Sequence, residues 1–334
     1  MKKEVIILII FFVSFNLVYA GNVTVFDSAT GKNISSENIF IPIPKDSVQI
    51  GVEKARAEIG IGKKNVFGNG KEFSLKSDEI TPWGIERVGA VKVWDTTKGK
   101  NIKVAILDTG VDKTHSDLKI KQEVSFISGE KDVTHGTLVA GVLSAIIDGK
   151  GIIGVAPEAE VYSIQVLEKD GGFLEDIIEG IDWSIENNID VISMSFGSDV
   201  DSDVLRIKLA EAYNNGIILV AASGNDGANV SYPAKYSSVI AAGNVDQFDD
   251  NTFGNVGKEL ELAAPGTEIL TTYPDNQYAI ASGTSFSAPH VAGVITLMLE
   301  DAPNMTNSEI RQKLHNDAID LGENGKDDSY GYGL

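Results

Sequence analysis

The chain has 334 residues, of which 43% are hydrophobic and 23% are charged; this is enough to bury a sizeable core and excludes disorder as the main state. Its 28 lysines and arginines stand against 48 aspartates and glutamates, a formal net charge of −20, so the phosphates of a nucleic acid would be repelled. The chain has no cysteine, which excludes disulfides, thiolate metal sites and a cysteine nucleophile. Any catalysis must therefore use oxygen and imidazole groups.

Residues 1–20 have the pattern of a secretory signal peptide. Lys2 and Lys3 supply a positive start, residues 5–13 form an unbroken apolar run, and Ala20 places a small residue at the cleavage position. An uncleaved membrane anchor is the alternative, but Ser14 and Asn16 interrupt the run before it reaches the roughly 17–25 residues of a spanning helix. The sequence therefore predicts a secreted, extracellular protein without stable membrane insertion.

Residues 21–78 differ in composition from the rest of the chain. They are rich in Asn, Ser, Lys and Gly, with one strand-like run at 38–44 and one short helical candidate at 52–59. This stretch is predicted to form a small module of its own, between the signal peptide and a domain that covers residues 79–334.

Residues 79–334 have the pattern of a single α/β domain. Continuous apolar runs alternate with helical stretches, which is typical of a parallel sheet covered by helices on both faces. The predicted strands are 102–107, 161–166, 191–195, 217–222 and 239–243, and the predicted helices are 135–147, 174–187, 203–214 and 285–299.

Four polar residues stand at the ends of these elements. Asp108 follows the first strand, Asn225 follows the fourth, and His135 and Ser285 open two apolar helices, the second with Pro289 in its predicted first turn. Because open α/β sheets bind their ligands outside the carboxyl ends of the strands, these residues are expected to converge.

The residue types fit nucleophilic catalysis. A serine at a helix N-terminus has unpaired backbone N–H groups around it, and it becomes a nucleophile when a histidine accepts its proton. A carboxylate such as Asp108 would fix the tautomer of His135 and stabilise its protonated form. Taken singly, each residue has a simpler interpretation: Asp108 as a turn cap, His135 as a buried residue at a helix start, and Ser285 as an N-cap.

Three motifs together resemble those of one family, the subtilisin-like serine proteases (subtilases). They are Asp108-Thr-Gly-Val-Asp112, His135-Gly-Thr-Leu-Val-Ala-Gly141 and Gly283-Thr-Ser-Phe-Ser-Ala-Pro-His-Val-Ala-Gly293, and the resemblance runs through residues 81–334. It implies a three-layer fold with a mainly parallel central sheet flanked by helices. It also implies that Asp108, His135 and Ser285 are the carboxylate, base and nucleophile, and that the Asn225 amide donates to the oxyanion beside the Ser285 N–H.

The same resemblance implies the substrate-binding residues. Ser195, Phe196 and Gly197 match the segment that pairs with extended substrate, and Ser223 and Gly224 match the facing wall. Phe196 is expected to line an apolar pocket, although without the resemblance it would be interpreted as an ordinary core aromatic.

The chain departs from the family pattern at a few positions. Leu138 stands where the family commonly has a second histidine, which is expected to change the packing beneath the base. Relatives usually continue beyond Leu334 into a last strand and helix. Of the remaining histidines, His290 is expected to be a packed or hydrogen-bonded helix residue, whereas His115 and His315 are expected to be solvated.

A structural calcium site is also implied. Asp117 and the loop of residues 146–152 match a family site in which carboxylates combine with loop carbonyls, and hard oxygen ligands suit Ca²⁺. The predicted ligands are Ile146, Asp148, Lys150 and Ile152 from the loop, together with Asp117. The alternative is that Asp148-Gly149 is a turn and Asp117 a surface acid.

The sequence thus predicts a secreted serine endopeptidase that cleaves protein or peptide substrates through an acyl-enzyme. Residues 21–78 are predicted to be its pro-segment, an intramolecular inhibitor that the enzyme removes itself, with the tail at 71–76 lying along Ser195–Gly197; an inert spacer is the alternative. A catalytically silent, peptide-binding or structural relative is the rival class. A lipase or esterase is the second rival, but the Gly-x-Ser-x-Gly motif is missing around Ser285.

Overall fold

The computed structural model describes residues 40–42, 79–129, 132–169 and 171–334. The predicted signal peptide, the helical candidate at 52–59 and the pro-segment tail at 71–76 lie outside these residues. Within them, no helix is both long enough and apolar enough to cross a membrane.

A seven-stranded sheet forms the centre of the fold, and every neighbouring pair of strands in it is parallel. The strands are β2 (Lys103–Asp108), β3 (Ile120–Ser125), β4 (Glu160–Gln165), β6 (Val191–Met194), β7 (Ile218–Ala222), β8 (Val239–Val245) and β9 (Leu262–Pro265). Their order across the sheet is β3-β4-β2-β6-β7-β8-β9. The α/β class with a parallel central sheet is confirmed.

Helices cover both faces of this sheet. The covering helices are α2 (Thr134–Ser144), α3 (Leu174–Glu186), α4 (Asp203–Asn214), α5 (Thr284–Asp301) and α6 (Asn307–Asp317), while α1 (Trp83–Arg87) and a short 3₁₀ helix at Ala90–Lys92 pack in a separate cluster. The core is split by the sheet, because successive side chains of a strand point to opposite faces. On one face Leu107 packs with Ile177 and Leu205, and on the other Ile106 packs with Val139 and Ile295. These are the three layers that the motifs imply.

Within the described residues, four further strands lie outside the central sheet. β10 (Ile269–Tyr273) and β11 (Gln277–Ala281) form an antiparallel hairpin that packs on α2. β1 (Phe40–Pro42) lies within the predicted strand-like run and pairs antiparallel with β5 (Gly171–Phe173).

Pro289 does not lie in the first turn of α5, as the sequence analysis expects. The helix runs from Thr284 to Asp301, so Pro289 is its sixth residue and lies inside it. A proline there has no N–H for the carbonyl four residues earlier, which belongs to Ser285. The hydroxyl of Ser195 donates to that carbonyl instead, at 2.7 Å.

Candidate active site

The site is built at the carboxyl end of the sheet, where β2 ends with Asp108 and α2 begins next to His135. Asp108 is 0% exposed and His135 is 7% exposed. The Nδ1 atom of His135 lies 2.8 Å and 3.0 Å from the two carboxylate oxygens of Asp108. The backbone N–H of Thr109 donates to the same carboxylate at 2.7 Å. The strand end and the turn after it therefore hold the carboxylate against the imidazole.

This contact fixes the tautomer and raises the pKa of the imidazole. Burial acts to lower the pKa of His135, but the adjacent Asp108 carboxylate outweighs burial and Asp132 adds to its effect, so the pKa lies above its usual value. With the proton on Nδ1 facing Asp108, Nε2 is the acceptor nitrogen. Among the described residues, Nε2 has no hydrogen-bond partner. His135 therefore presents a basic nitrogen that is available to a hydroxyl.

Ser285 is the second residue of α5, in the turn where helix N–H groups lack partners within the helix. Its neighbour Phe286 lies against the His135 ring, with a tilted arrangement and 6.3 Å between ring centroids. The Ser285 hydroxyl donates to the carbonyl of Ser195 at 3.1 Å. The Ser195 hydroxyl donates in return to the Ser285 carbonyl, so two reciprocal hydrogen bonds join these residues.

Asn225 is held by a residue that the sequence analysis did not single out. The backbone N–H and the hydroxyl of Thr284 both donate to Asn225 Oδ1, at 2.8 Å and 2.9 Å. The Gly224 N–H in turn donates to the Thr284 hydroxyl at 3.1 Å. Because these contacts use the oxygen end of the Asn225 amide, its NH₂ end is turned away and can serve as a donor. The sequence feature that could have identified Thr284 as a site residue is its position directly before Ser285 in the third motif.

The two predicted substrate segments are both hydrogen-bonded to the start of α5, and the Phe196 ring is more buried than expected. Ser195, Phe196 and Gly197 follow β6, and Ser223 and Gly224 follow β7. The Phe196 side chain is 2% exposed and packs in the core with Val230 and Tyr236. Its ring therefore does not line an open pocket, and the interpretation as a core aromatic is the one that fits.

A second backbone edge borders the same end of the sheet, and the sequence analysis missed it. The chain that leaves β4 is held to the site, because the N–H groups of Val166 and Leu167 donate to the Asp108 carbonyl at 2.9 Å and 3.2 Å. It then forms β5. Since β4 and β6 flank β2, β5 and the segment Ser195–Gly197 border the Asp108 end of β2 from opposite sides.

The predicted calcium loop lies against a buried carboxylate. Asp117 is 2% exposed, so it is not a surface acid. Its Oδ2 accepts hydrogen bonds from the Ile152 N–H at 2.9 Å and the Tyr278 hydroxyl at 2.8 Å. Burial raises the pKa of Asp117, and the charge of Asp148 adds to this rise. Glu79 Oε1 accepts from the N–H groups of Asp148 and Gly149, a contact that the sequence analysis did not predict.

Two of the other three histidines are less exposed than predicted. His115 is 1% exposed because the β10–β11 hairpin covers it, and its Nε2 lies 2.9 Å from the Gln277 carbonyl. His315 stacks on Tyr332 and lies 2.7 Å from a Glu261 carboxylate oxygen. The prediction that both are solvated is wrong. His290 is buried in α5 with its Nδ1 2.8 Å from the Phe286 carbonyl, as predicted, and burial lowers its pKa to about 4.

Comparison with known proteins agrees with this architecture. The family model described as the subtilase family matches residues 99–333. Subtilisin DY of Bacillus licheniformis is 42% identical over 267 residues, which are 76% of this chain and 96% of that protein. Subtilisin BL of Lederbergia lenta is 41% identical over 264 residues, covering 77% of this chain and 97% of the relative. The minor extracellular protease Epr of Bacillus subtilis (strain 168) is 42% identical over 77% of this chain, which spans 41% of that longer protein.

The fold and these similarities define a serine-type endopeptidase. The chain belongs to the subtilase family.

Proposed function

We propose that Asp108, His135 and Ser285 form a catalytic triad that hydrolyses peptide bonds through an acyl-enzyme. The observation that carries this proposal is the Asp108–His135 pair, with its unpartnered Nε2, beside the helix start that bears Ser285. Ser285 Oγ attacks the scissile carbonyl while His135 Nε2 takes its proton, and Asp108 stabilises the resulting imidazolium. His135 then gives the proton to the leaving amine, and water hydrolyses the acyl-enzyme.

The oxyanion of this reaction would be bound by the Asn225 NH₂ group and the Ser285 N–H. Thr284 holds the oxygen end of the Asn225 amide before substrate arrives, so the donor does not need to reorganise as charge develops. The Ser285 hydroxyl must leave the Ser195 carbonyl to reach His135, a rotation about one side-chain bond. This rotation also frees the Ser195 carbonyl to pair with the backbone of an extended substrate along Ser195–Gly197.

Two experiments test this function against its rivals. A fluorophosphonate probe should label Ser285, and a missing label would favour a silent, peptide-binding relative. Casein and a simple ester offered to the same preparation should both be cleaved, with the peptide bonds of casein cut at internal positions. Cleavage of the ester alone would favour a lipase or esterase and would contradict the proposal.

The raised pKa of His135 predicts the pH dependence of activity. Because the base must be neutral, kcat/KM should rise with pH through a midpoint above the usual 6.5 of histidine. Asp132→Asn removes one of the charges that raise this pKa and should move the midpoint down by about a few tenths of a pH unit. The control is Asp95→Asn, an exposed carboxylate that is not among the charges acting on His135. A midpoint that is unchanged or higher in Asp132→Asn would contradict the assignment of the base.

We also propose that residues 1–20 are a signal peptide and that residues 21–78 are a pro-segment which the enzyme removes with its own active site. The charged start and apolar run support export, and the distinct composition of 21–78 supports a separate segment. N-terminal sequencing of the secreted protein tests both points. The Ser285→Ala protein should keep residues 21–78, whereas the parent should lose them. Equal trimming of both proteins in a host without other proteases would show that processing is not autocatalytic.

We also propose that the loop of residues 146–152 is a structural Ca²⁺ site formed partly by backbone carbonyls. Within the part of the chain that the structure describes, no three acidic or histidine side chains are grouped so that they could hold a metal ion. Asp117 and Asp148 are close enough for the charge of one to raise the pKa of the other, which a cation between them would relieve. We infer that Asp117 and Asp148 would bind Ca²⁺ together with the carbonyls of Ile146, Lys150 and Ile152.

Calcium removal is therefore expected to destabilise the protein without removing a catalytic group. Binding to the native state alone adds about 2.7 kcal/mol at a hundredfold excess over Kd, so EDTA should lower the Tm and hasten autolysis. Asp148→Ala should lower the Tm in calcium and abolish the effect of EDTA. The control is Asp246→Ala, a carboxylate in a different loop, which should retain the EDTA effect. Unmoved melting curves in the parent and in Asp148→Ala would show that the site is wrong.

A further inference from the structure

A buried asparagine contacts the loop that carries Asn225. Asn255 is 0% exposed and belongs to the connection between β8 and β9. Its backbone N–H donates to the Gly224 carbonyl at 2.9 Å, and its Oδ1 accepts from the Asp226 N–H, also at 2.9 Å. Gly224 and Asp226 are the residues on either side of Asn225. A residue from another loop therefore holds the backbone both before and after the candidate oxyanion donor.

Every hydrogen-bonding position of the Asn255 side-chain amide is used. Its Oδ1 accepts from a second donor, the Ala228 N–H, at 3.1 Å. Its Nδ2 donates to the Asn229 carbonyl at 2.9 Å and to the Ser231 hydroxyl at 3.2 Å. An amide has two N–H donors and an oxygen that accepts two hydrogen bonds, so all four positions are filled. Turning the amide over would place its NH₂ group against two backbone N–H groups, so only this orientation fits the loop.

Asn255 is itself anchored to the central sheet. The N–H of the preceding Gly254 donates at 2.9 Å to Oδ1 of Asn244, a buried residue of β8. The Nδ2 of Asn244 donates at 2.7 Å to the hydroxyl of Thr267, which lies just beyond the end of β9. Side chains that are supported by strands are held more precisely than side chains supported by loops alone. Two neighbouring strands therefore fix the position from which Asn255 contacts the Asn225 loop.

The glycine before Asn225 fits the same close contact. Gly224 has a φ of +111°, a conformation that residues with side chains rarely adopt. A Cβ atom at Gly224 would also collide with the side-chain amide of Asn255. The next residue, Val256, pairs with the loop too, because its N–H donates to the Ala228 carbonyl at 2.8 Å. The loop therefore passes so close to Asn255 that no side chain fits between them.

We propose that Asn255 is a positioning residue, which holds the backbone of Asn225 so that the Asn225 NH₂ group is aimed at the oxyanion. Thr284 fixes the oxygen end of the Asn225 side chain, and Asn255 fixes the main chain from which this side chain extends. Oxyanion donors contribute most when they need no reorganisation as charge develops. A displacement of about 1 Å in such a group can lower the rate about 10²-fold. This inference rests on the proposed function, because it needs Asn225 to be an oxyanion donor.

A double-mutant cycle between Asn255 and Asn225 tests this role. Asn255→Ala should lower kcat for peptide hydrolysis about ten- to a hundredfold and change KM less than about twofold, because only the transition state carries the oxyanion charge. In the Asn225→Ala background, the same substitution should change kcat less than about twofold, since the donor that Asn255 positions is already missing. The concentration of active enzyme is determined in each protein by titration with the fluorophosphonate.

Two further variants separate positioning from stability. Asn255→Ser keeps an oxygen that can accept one of the two N–H groups, so its kcat should lie between those of the parent and Asn255→Ala; it also carries the test if the alanine variant does not fold. Ser184→Ala removes a 2.7 Å hydrogen bond from a buried hydroxyl to the Gly180 carbonyl in α3. This control should lower the Tm and leave kcat at the value of the parent.

Three results would overturn the inference. They are a lower Tm in Asn255→Ala without a lower kcat, a rise in KM alone, and a loss of kcat that is equally large in the Asn225→Ala background. Failure of the proposed function would look different, because Asn225→Ala by itself would then retain the kcat of the parent, whatever the Asn255 variants do.

Discussion

The Ser285→Ala protein is expected to lose casein hydrolysis by several orders of magnitude in kcat. The hydroxyl is the only group of the candidate triad that can form the acyl-enzyme, and removing it leaves only substrate binding and the oxyanion donors. KM should change little, because the substitution removes one oxygen and leaves both walls of the groove in place. The measurement is the initial rate of casein or peptide hydrolysis by purified protein, with residual rates checked for contaminating proteases.

Ser287→Ala is the matched control for this result. Ser287 lies on the same helix two residues further on, is buried, and donates its hydroxyl to the Ala264 carbonyl at 3.0 Å. Its loss should lower stability by about 1 kcal/mol and leave kcat near that of the parent. Hydrolysis that persists unchanged in Ser285→Ala would exclude Ser285 as the nucleophile.

Asn225→Ala is expected to lower kcat by about 10²–10³-fold with little change in KM. The amide donates to charge that exists only in the transition state, so the substrate in its ground state loses little. This range, about 2.7–4 kcal/mol, is the one known for the corresponding amide of subtilisin, a relative of this chain, and is carried over from there. Thr284→Val, which removes one of the two hydrogen bonds to Asn225 Oδ1, should have an intermediate effect.

Asn229→Ala is the control for Asn225, because Asn229 is an exposed asparagine of the same loop. Both kcat and KM should remain close to those of the parent. A rise in KM alone in Asn225→Ala would indicate a role in substrate binding and would count against the oxyanion role.

The sequence predicts best the strands that are covered on both faces of the sheet, because such strands appear as continuous apolar runs. All five predicted strands are present, and the helix predicted at 203–214 has the same bounds as α4. β3 was missed because it is an edge strand of the sheet, and its polar residues do not form an apolar run. α6 was also missed, although Thr306 and Glu309 form a capping box, which is a recognisable signal for a helix start.

The candidate site also contains features that the local sequence predicts and features that depend on distant segments. Asp108 and His135 are brought together by strand and helix ends, and these could be placed from the apolar runs beside them. The burial of Phe196 and of His115 depends on segments distant in sequence, such as the β10–β11 hairpin that covers His115. No local pattern contains such contacts. The pairing of β1 with β5 is of the same kind, because it joins residues about 130 positions apart.

The proline in α5 is linked to a contact between Ser285, the proposed nucleophile, and Ser195 of the predicted substrate wall. Because Pro289 leaves the Ser285 carbonyl without its helical donor, that carbonyl is bonded to the Ser195 hydroxyl. We therefore expect a substrate that pairs with the backbone at Ser195 to affect the position of Ser285, the proposed nucleophile. Contacts far from the scissile bond can be felt at Ser285, so lengthening a peptide substrate should appear in kcat as well as in KM. If the proposed roles hold, the two hydrogen bonds between Ser195 and Ser285 couple backbone pairing of the substrate to the alignment of the Ser285 oxygen.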